Sequence, residues 1–398
     1  MKYRVLICDD EFEQTEAWVE GVKSIAPAET YSVLAAPSTE DIGVAVKELL
    51  VRRGAAREGV AREAEICLFD SVDIVVVDYD LVHIEEDGAQ HTGEGIARLA
   101  RTFAGCSVVV VLNQFEGIDF DLSLRGHLES HADLNIDGDR LTTPGLWRSP
   151  PWEGFRPWYW QTLDGAVETQ RARERLVAEF FDRPIVEALG MRLEDASRLS
   201  DSAFGFIAPN AEDFAALQGQ TFRAFLSTAQ DGRDAEALSN SDRAGAARFV
   251  AARIGKWLER ELLGPQDVLL DVPHLLQRFP FLMGDRIEDP DAWNEAVHEV
   301  GWLRETLGED VWFGASECLS RPAVWFQRIE EDGAIGERRA TFDFSVVPEL
   351  VFLEDRSVFA PMSEAKEFRA GFHNSYDRRF VRPVQEIRYG PQRRFAFG

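Results

Sequence analysis

The fold of this chain is decided by the stretch Val72-Asp73-Ile74-Val75-Val76-Val77-Asp78-Tyr79-Asp80-Leu81. Its run of β-branched residues predicts a strand buried on both faces, and Asp78 stands at the C-terminal end of that strand. The opening stretch, residues 3–11, is built in the same way, because an apolar run ends in Asp9, Asp10 and Glu11. Parallel strands end at the same edge of a sheet, where open α/β folds bind their ligands. The sequence therefore predicts an acidic pocket at this edge.

Further strands and helices alternate around these two stretches. The pattern predicts strands at 3–8, 31–36, 72–78, 107–112 and, more weakly, 132–136, and helices at 11–25, 39–53, 96–103 and 120–131. An unusually long polar loop, 82–92, is expected after the third strand. Strands that alternate with helices at this spacing form right-handed crossovers. The expected fold class is α/β, with a doubly wound, five-stranded parallel sheet of the flavodoxin type.

The remaining sequence predicts a different organisation. Residues 1–140 are expected to form the sheet domain, and 141–160, rich in Trp and Pro, a connector. Residues 161–398 are expected to form a mainly helical α+β domain, helical to about residue 310 with strands after it. The expected C-terminal strands are 324–329, 339–346, 350–353, 380–389 and 394–397, with a hairpin turn at Glu331-Asp332-Gly333.

Composition excludes some function classes. The 398 residues carry a formal net charge of −27, which opposes the phosphate backbone of DNA, so no DNA partner is expected. The four cysteines are widely spaced, as is typical of a reducing compartment. We expect no signal peptide before the first strand, and no apolar run reaches the about 20 residues that a membrane helix needs. We expect a cytoplasmic protein without a membrane partner.

Asp9, Asp10 and Asp78, set in this order of strands and helices, give residues 3–136 a resemblance to a known family. They resemble the receiver domain of two-component response regulators. The resemblance implies that Asp78 accepts a phosphoryl group from a sensor histidine kinase or a phosphotransfer protein. It also implies that Asp9, Asp10 and Asp78 hold Mg²⁺, an ion that prefers oxygen ligands. The metal would neutralise the incoming phosphoryl group and place it in line with the Asp78 oxygen.

Two positions depart from the receiver pattern. Receivers carry Thr or Ser at the end of the fourth strand, and here that switch position is Asn113, which still offers a hydrogen-bond donor. Receivers end the fifth strand with Lys, whereas residues 132–137 contain no base. If the fifth strand were instead 141–147, Arg148 would stand in for the lysine.

Three interpretations of the altered receiver remain open. It is a response regulator with atypical signalling, a phosphate sink that does not transmit, or a pseudo-receiver scaffold or dimerisation module that is never phosphorylated. In the first two, residues 161–398 form a protein-interaction output that does not bind DNA. No motif predicts an enzyme beyond the phosphorylation of Asp78 itself, and a homodimer is compatible with all three interpretations.

Overall fold

The chain folds into two compact units, each composed of separate stretches of sequence. In a computed structural model, the first unit comprises Met1–Asp182, Thr221–Lys256 and Gly390–Gly398, and the second comprises Arg183–Gln220 and Trp257–Tyr389. This division differs from the predicted boundaries at 140 and 160, because segments from beyond residue 160 pack with the sheet. The residues that the structure describes are 2–60, 66–86, 89–113, 120–121, 130–149, 161–228, 234, 237–238, 242–368, 378–383 and 387–388.

Strands and helices are numbered along the chain, over the described residues. The strands are β1 (Tyr3–Cys8), β2 (Tyr31–Ala35), β3 (Ile74–Asp78), β4 (Asp80–Glu86), β5 (Ala89–Thr92), β6 (Val108–Asn113), β7 (Phe120–Asp121), β8 (Leu134–Asp137), β9 (Leu269–Asp271), β10 (Ala323–Trp325), β11 (Leu350–Leu353), β12 (Val358–Pro361), β13 (Lys366–Phe368), β14 (Arg379–Val381) and β15 (Ile387–Arg388). The helices are α1 (Phe12–Ile25), α2 (Thr39–Arg57), α3 (Gly93–Phe103), α4 (Leu163–Glu179), α5 (Ile185–Ala188), α6 (Leu193–Ala196), α7 (Asp201–Ile207), α8 (Phe222–Thr228), α9 (Arg243–Trp257), α10 (Val272–Arg278), α11 (Pro290–His298), α12 (Gly301–Leu307), α13 (Phe326–Glu331) and α14 (Gly333–Thr341). None of these helices combines the length and the apolar composition needed to cross a membrane.

The first unit is built on a five-stranded sheet in the order β2-β1-β3-β6-β8. All four pairings in this sheet are parallel. Counted along the chain, the order is 2-1-3-4-5, which is the order of doubly wound sheets of the flavodoxin type. The central strand β3 is completely buried at Ile74, Val75, Val76 and Val77, as its unbroken β-branched run predicts. The predicted α/β class and the parallel sheet are confirmed.

The predicted loop at 82–92 is wrong, because this stretch is mostly a β-hairpin. Strands β4 and β5 pair antiparallel, with an irregularity in register between Leu81 and Glu85. The hairpin returns the chain to the end of β3, where the Gly93 N–H donates to the carbonyl of Tyr79 over 2.9 Å. A Cβ atom at Gly93 would lie 2.3 Å from the carbonyl oxygen of Asp78. Helix α3 can therefore begin against the backbone of Asp78 only because residue 93 has no side chain.

Replacement of Gly93 by Ala should lower the free energy of unfolding by about 1–3 kcal/mol, because the new methyl group must displace the backbone of Asp78. Urea unfolding measures the change. Gly43→Ala is the matched control, since a Cβ atom at this position inside α2 meets nothing within 4 Å. That variant should be stabilised, by up to about 1 kcal/mol. Equal effects in the two variants would contradict the close approach at Gly93.

The fifth strand of the sheet is β8. The alternative prediction, a fifth strand at 141–147, is therefore wrong. Two short 3₁₀ helices, Gly138–Thr142 and Pro144–Leu146, occupy that stretch instead. Pro144 has no N–H for a strand ladder, and the buried Trp147 indole donates to the carbonyl of Leu141 over 2.8 Å. The predicted helix at 120–131 is also wrong where it is described, because Phe120 and Asp121 form β7. Residues 122–129, and the aromatic residues of 150–160, lie outside the described residues.

The second unit contains helices and short strands, which pair antiparallel except for the parallel pair β11 and β14, but several of its predicted elements differ. The predicted strand 324–329 ends after Trp325, where α13 follows, and 339–346 is helical as far as Thr341. The predicted turn at Asp332 is instead a helix cap, because its carboxylate accepts from the N–H groups of Ala334 at 2.9 Å and Ile335 at 3.1 Å. The predicted strand 350–353 is confirmed as β11, whereas 394–397 lies outside the described residues.

A buried ion network holds part of the second unit together. The His274 ring lies between two carboxylates, with Nδ1 2.5 Å from Asp271 Oδ1 and Nε2 3.0 Å from Glu354 Oε1. Arg321 donates to Asp271 over 2.9 Å, and Arg379 donates to Glu354 over 2.7 Å. Burial opposes ionisation, but the charges of His274 and Arg321 hold the pKa of Asp271 below its ordinary value. The network therefore joins β9, α10 and β14 to the end of β11 by compensated charges.

Candidate functional site

Three carboxylates lie at the C-terminal edge of the parallel sheet. Strands β1 and β3 are neighbours whose register pairs Cys8 with Val77, so the next residues on the two strands are Asp9 and Asp78. Asp9 is 8% exposed and Asp78 is 7% exposed, whereas Asp10 is only partly buried. The structure thus brings the predicted triad to one edge, because parallel pairing aligns the ends of the two strands.

Backbone groups orient the two buried carboxylates. Asp9 Oδ1 accepts from the N–H of Glu11 over 2.9 Å, and Asp78 Oδ2 accepts from the N–H of Asp80 over 2.9 Å. Each is a local turn in which a side chain satisfies the backbone two residues further on. The carboxylates are therefore held by the chain that immediately follows each strand.

The site carries more negative charge than its surroundings compensate. Burial raises the pKa of Asp9 to about 7, with further contributions from the charge of Asp78 and from a hydrogen bond and charge of Asp10. Burial likewise raises the pKa of Asp78, and the charges of Asp10 and Asp80 add to the effect. In both cases backbone hydrogen bonds partly offset the rise. Carboxylates in this state favour a proton or a cation between them.

The raised pKa of Asp9 predicts a pH-dependent stability. Because the folded pKa of about 7 lies above the ordinary 3.8, the contribution of Asp9 is fully present below about pH 4 and is lost as the pH rises through about 7. The Asp9→Asn variant keeps the acceptor oxygen and removes the charge. At about pH 8 we expect it to exceed the wild type in free energy of unfolding by about 1–3 kcal/mol, with a smaller difference at about pH 4.

Urea unfolding at a series of pH values, without divalent cations, measures this difference. Asp139→Asn is the control, because Asp139 is exposed in the 3₁₀ helix after β8. If the difference in free energy of unfolding between the wild type and Asp9→Asn is the same at these pH values, the electrostatic description of the site is refuted.

The fourth and fifth strands bring further polar residues to the same edge. Asn113 ends β6 and pairs in register with Asp137, the last residue of β8. The fifth strand thus ends in an acid where the receiver resemblance implies a lysine. Asp137 was missed as a site residue, although its position at the end of a predicted strand was the available signal. Its Oδ1 accepts from the N–H of Asp139 over 3.0 Å.

Arg148 does not stand at the end of a strand. It is exposed and follows the second 3₁₀ helix, with its backbone N–H donating to the carbonyl of Pro144 over 3.1 Å. A role as the lysine substitute requires a strand at 141–147, and 3₁₀ helices occupy that stretch instead. The structure therefore gives no support to this role.

The donor set has the chemistry of a magnesium site. Asp9, Asp10 and Asp78 offer only carboxylate oxygens, and Asp10 contributes to the raised pKa of Asp9. Across the described ranges, no three His, Cys, Asp or Glu side chains are already arranged as metal ligands. The residues fit Mg²⁺ by charge and atom type rather than by a preformed geometry.

Comparison with protein-family models gives no match, and comparison with curated proteins gives none either. The function of this chain is therefore inferred from its own residues and topology.

Proposed function

We propose that the first unit is an atypical receiver whose Asp78 accepts a phosphoryl group. The observation that carries this proposal is the pairing of β1 with β3 in a 2-1-3-4-5 sheet, which aligns the buried Asp9 and Asp78 at the ligand-binding edge. The mutual effect of the carboxylates on their pKa values supports a site that binds a cation and an anion together.

The chemistry assigned to Asp78 is nucleophilic. Its ionised carboxylate attacks the phosphorus of a phosphohistidine or of acetyl phosphate, and the bond to the imidazole nitrogen or acetate oxygen breaks with its electron pair leaving on that group. Backbone hydrogen bonds from Asp80 and Tyr79 hold the Asp78 carboxylate in place for attack on the donor. Asp9 and Asp10 would hold Mg²⁺, which supplies positive charge for the phosphoryl oxygens.

The proposed receiver is atypical because two of its signalling residues are replaced. Asn113 retains a donor but no rotating hydroxyl, and Asp137 contributes repulsion where a lysine would contribute attraction. We infer a cytoplasmic protein that takes phosphate from a sensor kinase or phosphotransfer protein. It acts as a phosphate sink or signals through protein contacts of its remaining residues, without binding DNA.

A second candidate function is a pseudo-receiver scaffold or dimerisation module. The observation that favours it is the acid at the end of β8, since a fourth carboxylate at this edge opposes the approach of an anionic donor. In this alternative the carboxylates stay partly protonated or cation-bound, and Asp78 is never modified.

Intact mass after incubation with acetyl phosphate and Mg²⁺ separates the two candidates. The proposal predicts one phosphoryl adduct, lost in Asp78→Ala and kept in Asp80→Ala, because Asp80 is exposed and its hydrogen bond to Asp78 comes from the backbone N–H. An unmodified wild type favours the scaffold. An adduct that survives Asp78→Ala would assign the phosphoryl group to another residue and refute the proposal.

A further inference from the structure

The segment that leads into β8 is held from two sides by charged groups of the first unit. Glu94 accepts from the Ser130 hydroxyl over 3.0 Å and from the His131 N–H over 2.7 Å. On the other side, Lys256 Nζ donates to the carbonyl of Ser130 over 2.5 Å. Ser130 is buried, so these groups replace water as its partners. A short chain of contacts thus runs from Glu94 through Ser130 to Lys256.

The first end of this chain lies beside the carboxylate edge. Glu94 stands in the first turn of α3, directly after Gly93, whose backbone contacts the backbone of Asp78 and Tyr79. Gly93 thus joins the backbone that carries Asp78 to the residue that holds Ser130. A phosphoryl group would add nearly two negative charges at Asp78 and would repel the Glu94 carboxylate.

The other end of the chain lies on helix α9. Lys256 is in its last turn, and the buried Phe249, about two turns earlier, packs against the ring of His131 with 5.8 Å between centroids. Arg248 on the same helix donates to the carbonyl of Ala104, which follows α3. Residues 243–256 therefore have several contacts within the first unit, and those of Lys256 and Phe249 lead through Ser130 and His131 to Glu94.

The charge on Lys256 depends on its neighbours. Burial lowers the pKa of its amine to about 7, whereas the negative charges of Asp133 and Glu94 raise it and the positive charges of Arg253 and Arg101 lower it further. Two acids act on Lys256, namely Asp133 and Glu94. Asp133 forms an ion pair with Arg101, whereas no ion pair is described for Glu94. The other ionisable side chain in the group is the buried His131. Loss or withdrawal of Glu94 therefore favours the neutral amine.

We propose that the contacts Glu94–Ser130–Lys256 couple the charge at Asp78 to the attachment of helix α9. They supply a route out of the site in a chain that lacks the usual switch hydroxyl and lysine. Additional negative charge at Asp78 displaces Glu94, releases Ser130 and loosens the hold of Lys256. The signalling use of this route depends on the proposed phosphorylation, whereas the contacts themselves do not.

Hydrogen exchange of the full chain, read by mass spectrometry over residues 243–256, tests the coupling. Glu94→Gln and Lys256→Met should each increase the exchange rate in this helix about tenfold, and the double variant should exceed Lys256→Met by less than about twofold. Lys23→Met is the control, since Lys23 forms an exposed pair with Glu20, and it should change nothing there. Additive effects, or no effect of Glu94→Gln, would refute the coupling.

A second measurement separates this inference from the proposed function. Asp78→Asn removes the charge without phosphate, and it should slow exchange in residues 243–256 in the wild type but not in Lys256→Met. Acetyl phosphate with Mg²⁺ should have the opposite effect. If the mass shows no phosphoryl adduct but Asp78→Asn still slows exchange, the coupling stands and the proposed function fails. If neither Asp78→Asn nor a confirmed adduct changes exchange in the helix, the coupling is refuted.

Discussion

Arg379→Met is expected to lower the free energy of unfolding by about 3–5 kcal/mol, the largest effect on stability that we predict. The Arg379 side chain is buried and donates to Glu354 over 2.7 Å and to the carbonyl of Gly264 over 2.8 Å. Its removal takes away one of the positive charges that, with those of His274 and Arg321, compensate the buried Glu354, and it takes this donor from the carbonyl of Gly264. The methionine fills much of the volume, so lost charge compensation rather than a cavity dominates the change.

The neighbouring arginine is the matched control for this prediction. Arg378 also pairs with an acid, Glu367, over 2.7 Å, but both side chains are about half exposed. Arg378→Met should cost less than about 1 kcal/mol. Urea unfolding, monitored by hydrogen exchange in the second unit, compares the free energies of unfolding of the two variants. Similar losses would mean that the burial of the network does not matter.

The pH dependence of Arg379→Met provides an internal check. Burial opposes ionisation of Glu354, but the charges of His274 and Arg379 hold its pKa below the ordinary value. This lowered pKa contributes stability above about pH 4, and the contribution is lost as the pH falls. The difference between wild type and variant should therefore be largest near neutral pH and shrink as the pH falls below about 4.

Asp137→Lys is expected to accelerate the phosphorylation of Asp78 by acetyl phosphate about tenfold or more. The substitution replaces a negative with a positive charge at the end of β8, in register with Asn113 and at the same edge as Asp78. Tenfold corresponds to about 1.4 kcal/mol, which two unit changes of charge supply readily in a partly buried site. Loss of the turn that Asp137 forms with the Asp139 N–H should cost about 1 kcal/mol of stability.

Asp139→Lys makes the same change in net charge two residues away. Because Asp139 is exposed in the following 3₁₀ helix, solvent and salt should limit its effect to about twofold. The rate of adduct formation, followed by intact mass, distinguishes the two variants. Equal acceleration would assign the effect to long-range attraction. No acceleration by Asp137→Lys would exclude repulsion between Asp137 and the phosphoryl donor as an obstacle to phosphorylation.

The parallel sheet could be predicted because each of its strands is marked by a short apolar run in the sequence. Buried central strands such as β3 require unbroken apolar runs, and Asp9 and Asp78 follow two such runs directly. The predicted β1, β3, β6 and β8 all lie in the sheet, and even the weak strand at 132–136 is found at Leu134–Asp137. The position of the acids at one edge follows from the pairing alone.

The hairpin β4–β5 could not be predicted in the same way. Its strands are largely polar, so they lack the alternation that marks a half-buried strand. In the second unit the alternating Phe342-Asp343-Phe344 suggested a strand, but the cap formed by Asp332 starts a helix that runs to Thr341. The division into units was hidden because each unit draws on separate stretches, and local composition does not record which stretches pack together.

Locating the phosphoryl group on the chain decides whether Asp78 is the phosphoryl acceptor. After reaction with acetyl phosphate and Mg²⁺, borohydride reduction converts an aspartyl phosphate into a stable alcohol that peptide sequencing by mass spectrometry identifies. We expect one reduced residue, Asp78. The reduced residue should be absent when Mg²⁺ is withheld or when Asp9 is replaced by Asn. No reduced residue, or reduction at any position other than Asp78, would contradict it.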